Sequence, residues 1–290
     1  MDPYVLVIGE SLVDVVLEPD GSRTEWPGGS AANVAVALAR LGRSVRFATS
    51  YADDDRGRAI AEHLGRDGVV LANDPYAVGR TSSAEATLAE DGSASYVFDL
   101  DWRLNPLGDE SPLFVHVCSI GAVLEPGADA VLAILGRLSG ATVTYDINAR
   151  PAITGTGAAL VAHVEQGAAA SHLVKASDED LAALYPGLAL LDAAEHLLGL
   201  GPHAVAVTRG GAGATWLDAN GVVEVAAASV TVVDTIGAGD TFSAAIVEAL
   251  WDDTDRDPAE VLAHAGRAAA VTVSRPGADP PYRHELGPHA

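Results

Sequence analysis

Disulfide chemistry is closed to this chain, because its 290 residues include a single cysteine, Cys118. One thiol cannot form an internal bridge. It suits a reducing compartment, and inside the apolar run 113–119 it reads as a small core residue. Long apolar runs are also missing. None approaches the ~20 residues a membrane span needs, and the opening Met-Asp-Pro-Tyr-Val-Leu-Val-Ile-Gly has no basic region before its apolar residues. Neither a span nor a signal peptide is therefore expected, and the cytoplasm is the expected location. Basic residues are scarce, with 17 Lys and Arg against 40 Asp and Glu and a formal net charge of −23. Such a surface repels nucleic acid and anionic membranes, so neither is an expected partner. Lys175 is the sole lysine. Two phosphate-binding loops are absent as well. There is no Gly-x4-Gly-Lys-Ser/Thr segment, and Phe242 stands where a dinucleotide loop beginning at Gly237 would need its third glycine.

A chain of this length that is 49% hydrophobic can bury one large α/β core. Residues 4–8 are a continuous apolar run, as expected of a parallel strand covered on both faces, and 44–50, 113–119, 141–147, 173–176 and 203–208 read as further strands. Helical spacing recurs at 31–41, 56–66, 128–138, 158–168, 244–250 and 257–272, giving β/α alternation. Shorter strands are expected at 69–72 and 214–217, and the β-branched run 230–233 reads as a further strand. Residues 84–88 and 94–100 break the alternation. They read as a hairpin turning at 90–93, with one wet face, and with 13–26 they predict a small sheet lying over a site as a lid.

The most informative stretch is Asp234-Thr-Ile-Gly-Ala-Gly-Asp240, between the run 230–233 and a helix. Glycines at a helix start expose backbone N–H groups at the positive end of the dipole, a site for phosphate. Asp240 follows in the first helical turn, where it can stay ionised and accept a proton. An anion cradle beside a carboxylate is what phosphoryl transfer to an alcohol requires. A plain turn and helix cap would use the same residues, so their company decides. A second double glycine, Gly28-Gly29, opens a helix whose first turn carries Asn33, and Asp14 is an acid inside an apolar run. Polar clusters at 9–11, 119–121, 146–151, 175–180 and 209–213 follow one strand after another, where open α/β sheets bind ligands.

Gly-Gly-Ser-Ala-Ala-Asn-Val-Ala at 28–35 and Asp-Thr-Ile-Gly-Ala-Gly-Asp at 234–240 resemble the two signatures of the ribokinase-like (PfkB) carbohydrate kinases. Asp-x-Asn-x-Arg at 146–150, Lys-x-Ser-Asp-Glu-Asp at 175–180 and Ser-Arg-Pro-Gly-Ala at 274–278 resemble the fructokinase branch. The resemblance implies an α/β fold: a three-layer sandwich, with a central, mainly parallel sheet flanked by helices. All of 1–290 would form one domain, with a β-lid from about 11–27 and 80–104. It implies transfer of the γ-phosphate of ATP to a sugar hydroxyl, with Mg²⁺ and, in many members, K⁺ or another monovalent cation.

Carried over residue by residue, the resemblance makes Asp240 the base. The amides of Gly237, Ala238, Gly239 and Asp240 become an anion hole, and Arg150 lies near the transferred phosphate. Asp14, Gly28, Gly29 and Asn33 would hold sugar hydroxyls, with Arg103 reaching in from the lid. Lys175 and Ser177 would line the phosphates. Thr208, Arg209, Gly210 and Gly213 would flank ATP, with His264 near adenine. Asp180 would meet Mg²⁺ through water, and Asp234 with the carbonyl of Ile236 and carbonyls near Thr272 and Gly277 would take the monovalent ion. Two departures stand out. The family's Asn-x-x-Glu is Ser177-Asp-Glu-Asp180 here, which leaves Asp180 and Glu179 as rivals for Mg²⁺. Ser30 stands where ribokinases carry lysine. Fructose is the favoured acceptor. 2-Keto-3-deoxygluconate, ribose and nucleosides stay open within the family, and a dinucleotide-binding oxidoreductase or an inactive sugar-binding module stays open outside it. A monomer or a lid-mediated homodimer is expected.

Overall fold

In the computed structural model, which describes residues 2–88 and 94–287, the chain alternates between strands and helices from its first apolar run. The elements are β1 (Val5–Ile8), β2 (Leu12–Leu17), β3 (Arg23–Gly28), α1 (Ser30–Arg40), β4 (Val45–Ala48), α2 (Asp55–Arg66), β5 (Val70–Leu71), β6 (Ser83–Leu88) and β7 (Ala94–Asp99). There follow β8 (Phe114–Cys118), α3 (Gly127–Arg137), β9 (Thr142–Asp146), α4 (Pro151–Thr154), α5 (Ala158–Ala169), β10 (Leu173–Ser177), α6 (Asp178–Leu184) and α7 (Leu190–Leu198). The chain closes with β11 (Ala204–Thr208), β12 (Ala214–Asp218), β13 (Gly221–Val225), α8 (Ala238–Ala249) and α9 (Pro258–Val273).

Among the described residues the large sheet has the order β13-β12-β11-β10-β9-β8-β1-β4-β5. Its pairings are parallel from β11 to β5 and antiparallel where β12 and β13 close the edge. The unbroken apolar runs follow from burial on both faces. In β1, Val5 and Val7 join the core under α1, α8 and α9, while Leu6 and Ile8 join the core under α3, α5, α6 and α7.

A second sheet, ordered β3-β2-β6-β7, rises beside the first. In β2 the period of two is legible. Val13 and Val15 are buried, while Asp14 between them is exposed, opposite Trp26 on β3. The turn expected at 90–93 lies outside the described residues. Trp102 anchors the return from this sheet. Its indole N–H donates to the Gly121 carbonyl at 2.9 Å, and its ring occupies the space where a Cβ on Gly127 would stand.

Two sequence expectations fail here. The run 230–233 forms no strand. The amides of Val233 and Asp234 share the Val273 carbonyl, and Val232 and Val233 are 59% and 58% exposed. β-Branched residues favour extended backbone, but a ladder also needs a free edge, and β13 already covers that side. β13 and α7 were not expected. Gly221-Val-Val-Glu-Val is too short to show a period, and Leu190–Leu198 follows the Pro186-Gly187 break without a side-chain cap.

A Cβ on Gly127 would lie 2.2 Å from the Trp102 ring. Helix propensity alone would favour Gly127→Ala by about 0.5–1 kcal/mol, and overpacking costs about 1–3 kcal/mol. Gly127→Ala is therefore expected to lower the unfolding midpoint in urea. A raised midpoint would show that Trp102 is not fixed by this contact.

Candidate active site

Because β1, β8, β9, β10 and β11 run parallel, Ile8, Cys118, Asp146, Ser177 and Thr208 end on one edge of the sheet. The loops beyond them meet the first turns of α1 and α8. Gly237 has φ +74°, and a Cβ there would stand 2.6 Å from that of Ala278, so the turn into α8 needs glycine on both counts. Gly237, Ala238 and Gly239 are half-buried, and Asp240 behind them is 6% exposed. One of the expected anion-hole amides is already engaged, since Ala238 N–H reaches the Thr235 carbonyl at 3.3 Å.

The Asp240 carboxylate is held from two sides. Oδ1 accepts from the Ser30 hydroxyl at 2.7 Å and from the Asn148 amide at 3.4 Å, and Oδ2 accepts from the Asn33 amide at 2.8 Å. Burial raises its pKa; the Asn33 and Ser30 hydrogen bonds oppose this, Asp146 adds to it, and Arg150 opposes it. Asn33 is thus tied to Asp240 itself, where a sugar contact was expected.

Asp14 faces the same cleft from β2. Although the residue keeps exposed surface, desolvation of its carboxyl in the cleft raises the pKa to about 6, with Arg150 opposing and Asp240 adding to it. A Cβ on Gly28 would lie 2.4 Å from Asp14 Oδ2, so glycine there leaves the carboxylate its place. Gly29 caps α1 with φ 102°. Arg150 is exposed, one guanidinium nitrogen donating to the Ala149 carbonyl at 3.2 Å, and its charge acts on Glu10, Asp14 and Asp240 alike. Arg103 does not join them. Its side chain is 55% exposed and bonded to Asp101 at 2.9 Å, two residues away on the lid return.

Lys175 was expected beside the phosphates. It is buried beneath the glycine turn instead, with Nζ 3.0 Å from Asp146 Oδ2 and 3.1 Å from where a Gly239 Cβ would lie. Ser243 of α8 donates to the same Asp146 oxygen at 2.7 Å. Burial works against the ammonium, but Asp146, Asp180 and Asp240 outweigh it and its pKa is raised. The floor of the turn therefore carries a cation.

Ser177 and Asp180 cap α6 reciprocally, and Asp180 Oδ1 also accepts from the Ala149 amide at 2.8 Å. Both Asp180 oxygens serve main chain, which ties the Arg150 loop to α6. A Mg²⁺ ion met through water, as expected of Asp180, would share this carboxylate with two main-chain donors. Glu179 is the exposed acid beside it. Thr208 bonds to the Ala176 carbonyl at 3.4 Å. The 209–213 loop closes on itself through Arg209 N–H to the Gly213 carbonyl at 2.8 Å, a turn containing Gly210, and the Arg209 guanidinium reaches Glu224 at 3.3 Å. His264, expected near adenine, is 3% exposed and pairs with Glu248 at 2.7 Å, two turns along α9 from Thr272. Thr272 is itself buried, its hydroxyl bonded to Thr241 at 2.9 Å. Asp234 joins two loops, accepting from Ile236 N–H at 3.0 Å and Gly277 N–H at 2.8 Å, and these bonds lower its pKa.

Sequence reasoning missed Glu10, Ser30 and Asn148. Glu10 is 5% exposed, Oε1 accepting from Ser30 N–H at 3.1 Å and Oε2 from Gly121 N–H at 3.0 Å. An acid directly after the first apolar strand was its available signal. Burial raises its pKa to about 7 despite those bonds.

The sequence matches the family model described as pfkB family carbohydrate kinase over residues 2–285. The chain belongs to the pfkB family of carbohydrate kinases. It is similar to a pfkB relative, the fructokinase of Salmonella typhimurium, with 30% identity over 99% of both chains. It is 34% identical to the fructokinase of Rhizobium leguminosarum bv. trifolii over 86% of this chain and 80% of that one. Among solved structures, aminoimidazole riboside kinase from Salmonella enterica, complexed with aminoimidazole riboside and an ATP analog, superposes with a TM-score of 0.84 at 28% identity, covering 98% of each chain. Fructokinase from Vibrio cholerae O395, in a fructose-, ADP- and potassium-bound form, gives 0.82 at 26% identity over 95% of this chain and 94% of that one.

Glu10 yields a pH test of this pfkB site. Its folded pKa lies above the ordinary 4.5, so its contribution to stability is full below pH 4.5 and is lost as pH rises through about 7. Glu10→Gln removes this titration and adds a constant cost for its misplaced amide. Between pH 5 and 8 the stability difference is therefore expected to shift toward the Gln variant, by at most about 3 kcal/mol, in urea titrations. A pH-independent difference would remove the proposed titration.

Proposed function

We propose that this pfkB chain is an ATP-dependent sugar kinase of fructokinase type, with Asp240 as the general base. The observation that carries the reading is the Asp240 carboxylate, buried in the first turn of α8 behind the glycine turn and bonded to Ser30 and Asn33 at the lid hinge. One end of the cleft offers amides and the dipole of α8 to a phosphoryl group. The other offers Asp14 and the main chain at Gly28 and Gly29 to sugar hydroxyls, acceptors and donors suited to several hydroxyls at once. A hydroxyl lying between them is deprotonated by Asp240 as its oxygen bonds to the γ-phosphorus and ADP leaves. The amides and the Lys175 charge beneath them stabilise the negative charge on the transferred group. Arg150 stands at the cleft mouth, where its charge helps ATP approach an acidic protein.

Mg²⁺ fits this site as a companion of the nucleotide. Hydrated Mg²⁺ binds phosphates and a few carboxylates, neutralising charge between them. Glu179 is the acid free to meet its water shell, since both Asp180 oxygens hold main chain. A monovalent cation belongs at the Asp234 junction, between the Ile236 and Gly277 loops. Fructose is the proposed acceptor, since fructokinases are the relatives with the highest coverage and identity cited above, and Ser30 stands where ribokinases carry lysine. The cytoplasm is the proposed location. The second sheet is the lid, and a lid-mediated dimer is the oligomer proposed.

Asp240→Asn is expected to lower turnover by about 10²–10⁴-fold, the range for loss of a general base, with sugar affinity nearly unchanged. Turnover close to that of the unsubstituted chain would refute the base assignment. Gly28→Ala, which pushes the Asp14 carboxylate aside, is expected to raise the sugar KM by about tenfold or more, as for loss of hydrogen bonds to a charged group. In an ADP-release assay with fructose, ribose, 2-keto-3-deoxygluconate and aminoimidazole riboside, fructose should show the highest kcat/KM. Another sugar in first place would reassign the acceptor and keep the kinase reading.

A further inference from the structure

Two non-glycine residues among those described have positive φ: Ser119 at 52° and Asn148 at 37°. They follow the C-terminal ends of neighbouring strands, β8 and β9, and hold each other, the Ser119 hydroxyl donating to the Asn148 carbonyl at 3.2 Å. Such backbone is costly for residues with a Cβ and persists where the surroundings impose it. The strained Asn148 aims its amide at one place. Nδ2 donates to Ser30 Oγ at 2.9 Å and lies 3.4 Å from Asp240 Oδ1. Ser30 Oγ has one proton and lies 2.7 Å from Asp240 Oδ1. With Asn148 donating into its lone pair, the hydroxyl proton has two acceptors in reach, Cys118 Sγ at 3.4 Å and the carboxylate at 2.7 Å, and the nearer, charged one takes it. Ser30 is 7% exposed, so water does not compete for it freely.

We propose that Asn148 and Ser30 form a positioning relay that fixes the Asp240 carboxylate and leaves Oδ2 as the oxygen that receives the sugar proton. The proposal rests on the reading of Asp240 as base. Oδ1 accepts two donors, which fill its lone pairs, whereas Oδ2 accepts only the Asn33 amide and keeps one free. In the transfer, the sugar O–H bond breaks and its proton passes to Oδ2. The freed electron pair forms the bond to the γ-phosphorus, and the bond from phosphorus to the ADP oxygen breaks, its pair leaving with ADP. Oδ1 stays hydrogen-bonded to Ser30 throughout, so the carboxyl does not rotate as it changes charge.

The charged and titratable groups around Asp240 are Glu10 on the β1 end, Asp14 on the lid, Cys118 on β8, Asp146 and Arg150 at β9, and Lys175 on β10. Ser30→Ala and Asn148→Gly leave all of them in place. Losing a hydrogen bond to the ionised form raises the pKa of the base. Ser30→Ala is expected to lower kcat by about tenfold and to move the acid limb of the kcat–pH profile up by about one unit, with sugar KM within about twofold. Glycine accepts the positive φ at 148, so Asn148→Gly keeps the fold and gives a smaller shift of the limb in the same direction. Because the shorter of the two Asn148 contacts runs through Ser30, the double variant should be slower than Ser30→Ala by less than the Asn148→Gly factor.

The measurements use the full chain and the sugar turned over fastest in the panel, with thermal melting of each variant and Asp240→Asn alongside. An unmoved acid limb in both variants, or strictly multiplicative rate losses, overturns the relay. If Asp240→Asn is inactive while Ser30→Ala stays fully active, the relay alone falls. If Asp240→Asn turns over normally, the base assignment falls and the relay with it.

Discussion

The contact on which the site depends joins residues 210 apart in the chain: the Ser30 hydroxyl on the Asp240 carboxylate. It requires the first turns of α1 and α8 to approach within hydrogen-bond reach, and the composition of both helices permits this. α1 buries Ala31, Ala32, Ala35 and Ala37, and α8 is buried from Asp240 to Ala249 with Ala244 and Ala245 at 0% exposure. Small side chains let the two axes lie close. Both helices direct their N-termini at one carboxylate, so two positive dipole ends face a buried negative charge. That field and three side-chain donors offset part of the desolvation cost, though burial still raises the pKa of Asp240. A base poised in this way is more basic than an exposed aspartate.

Beneath the glycine turn lies a second, buried layer of charge. Lys175, Asp146 and Ser243 bond to one another with little exposure, and His116 lies nearby, pushed down to about 3 by burial and therefore neutral. A buried pair of this kind is weak evidence for stability, because desolvation consumes much of its Coulombic gain. Its placement is more informative. The ammonium sits 3.1 Å from where a Gly239 side chain would begin. A cation there strengthens the field for an arriving phosphoryl group.

Much of this arrangement is legible in the sequence. Continuous apolar runs mark the parallel strands, and the polar residues at their ends mark the edge where the site lies. Asp240 and Gly237 are legible because their local geometry, a glycine turn into a helix, is written in adjacent residues. Glu10, Ser30 and Asn148 are not, since each gains its meaning from a partner on another element. Ser30 reads as a helix-start residue until Asp240 is placed against it, and Asn148 reads as a loop residue until its φ of 37° is known. Lys175 illustrates the reverse error. A lone lysine near a phosphate site invites a direct contact, but its position inside β10, flanked by Val174 and Ala176, buries it. The run 230–233 failed for a related reason, as propensity specifies backbone shape and not the neighbour that completes a sheet.

The division of labour between the two sheets then follows from burial. Groups argued to move protons and phosphate, Asp240 and the glycine turn, stand on the large sheet and its helices, where packing admits few alternatives. Asp14 stands on the small sheet, exposed, with its neighbour Trp26 51% exposed. On the proposed reading, a sugar bonded to Asp14 and to the start of α1 at once would draw the small sheet toward the floor and remove water from both. That matters because Asp240 would also accept a proton from water lying where the sugar hydroxyl belongs. On that reading, discrimination against hydrolysis would lie in coupling sugar binding to closure, with the rigid floor holding the base and the open sheet sensing the acceptor.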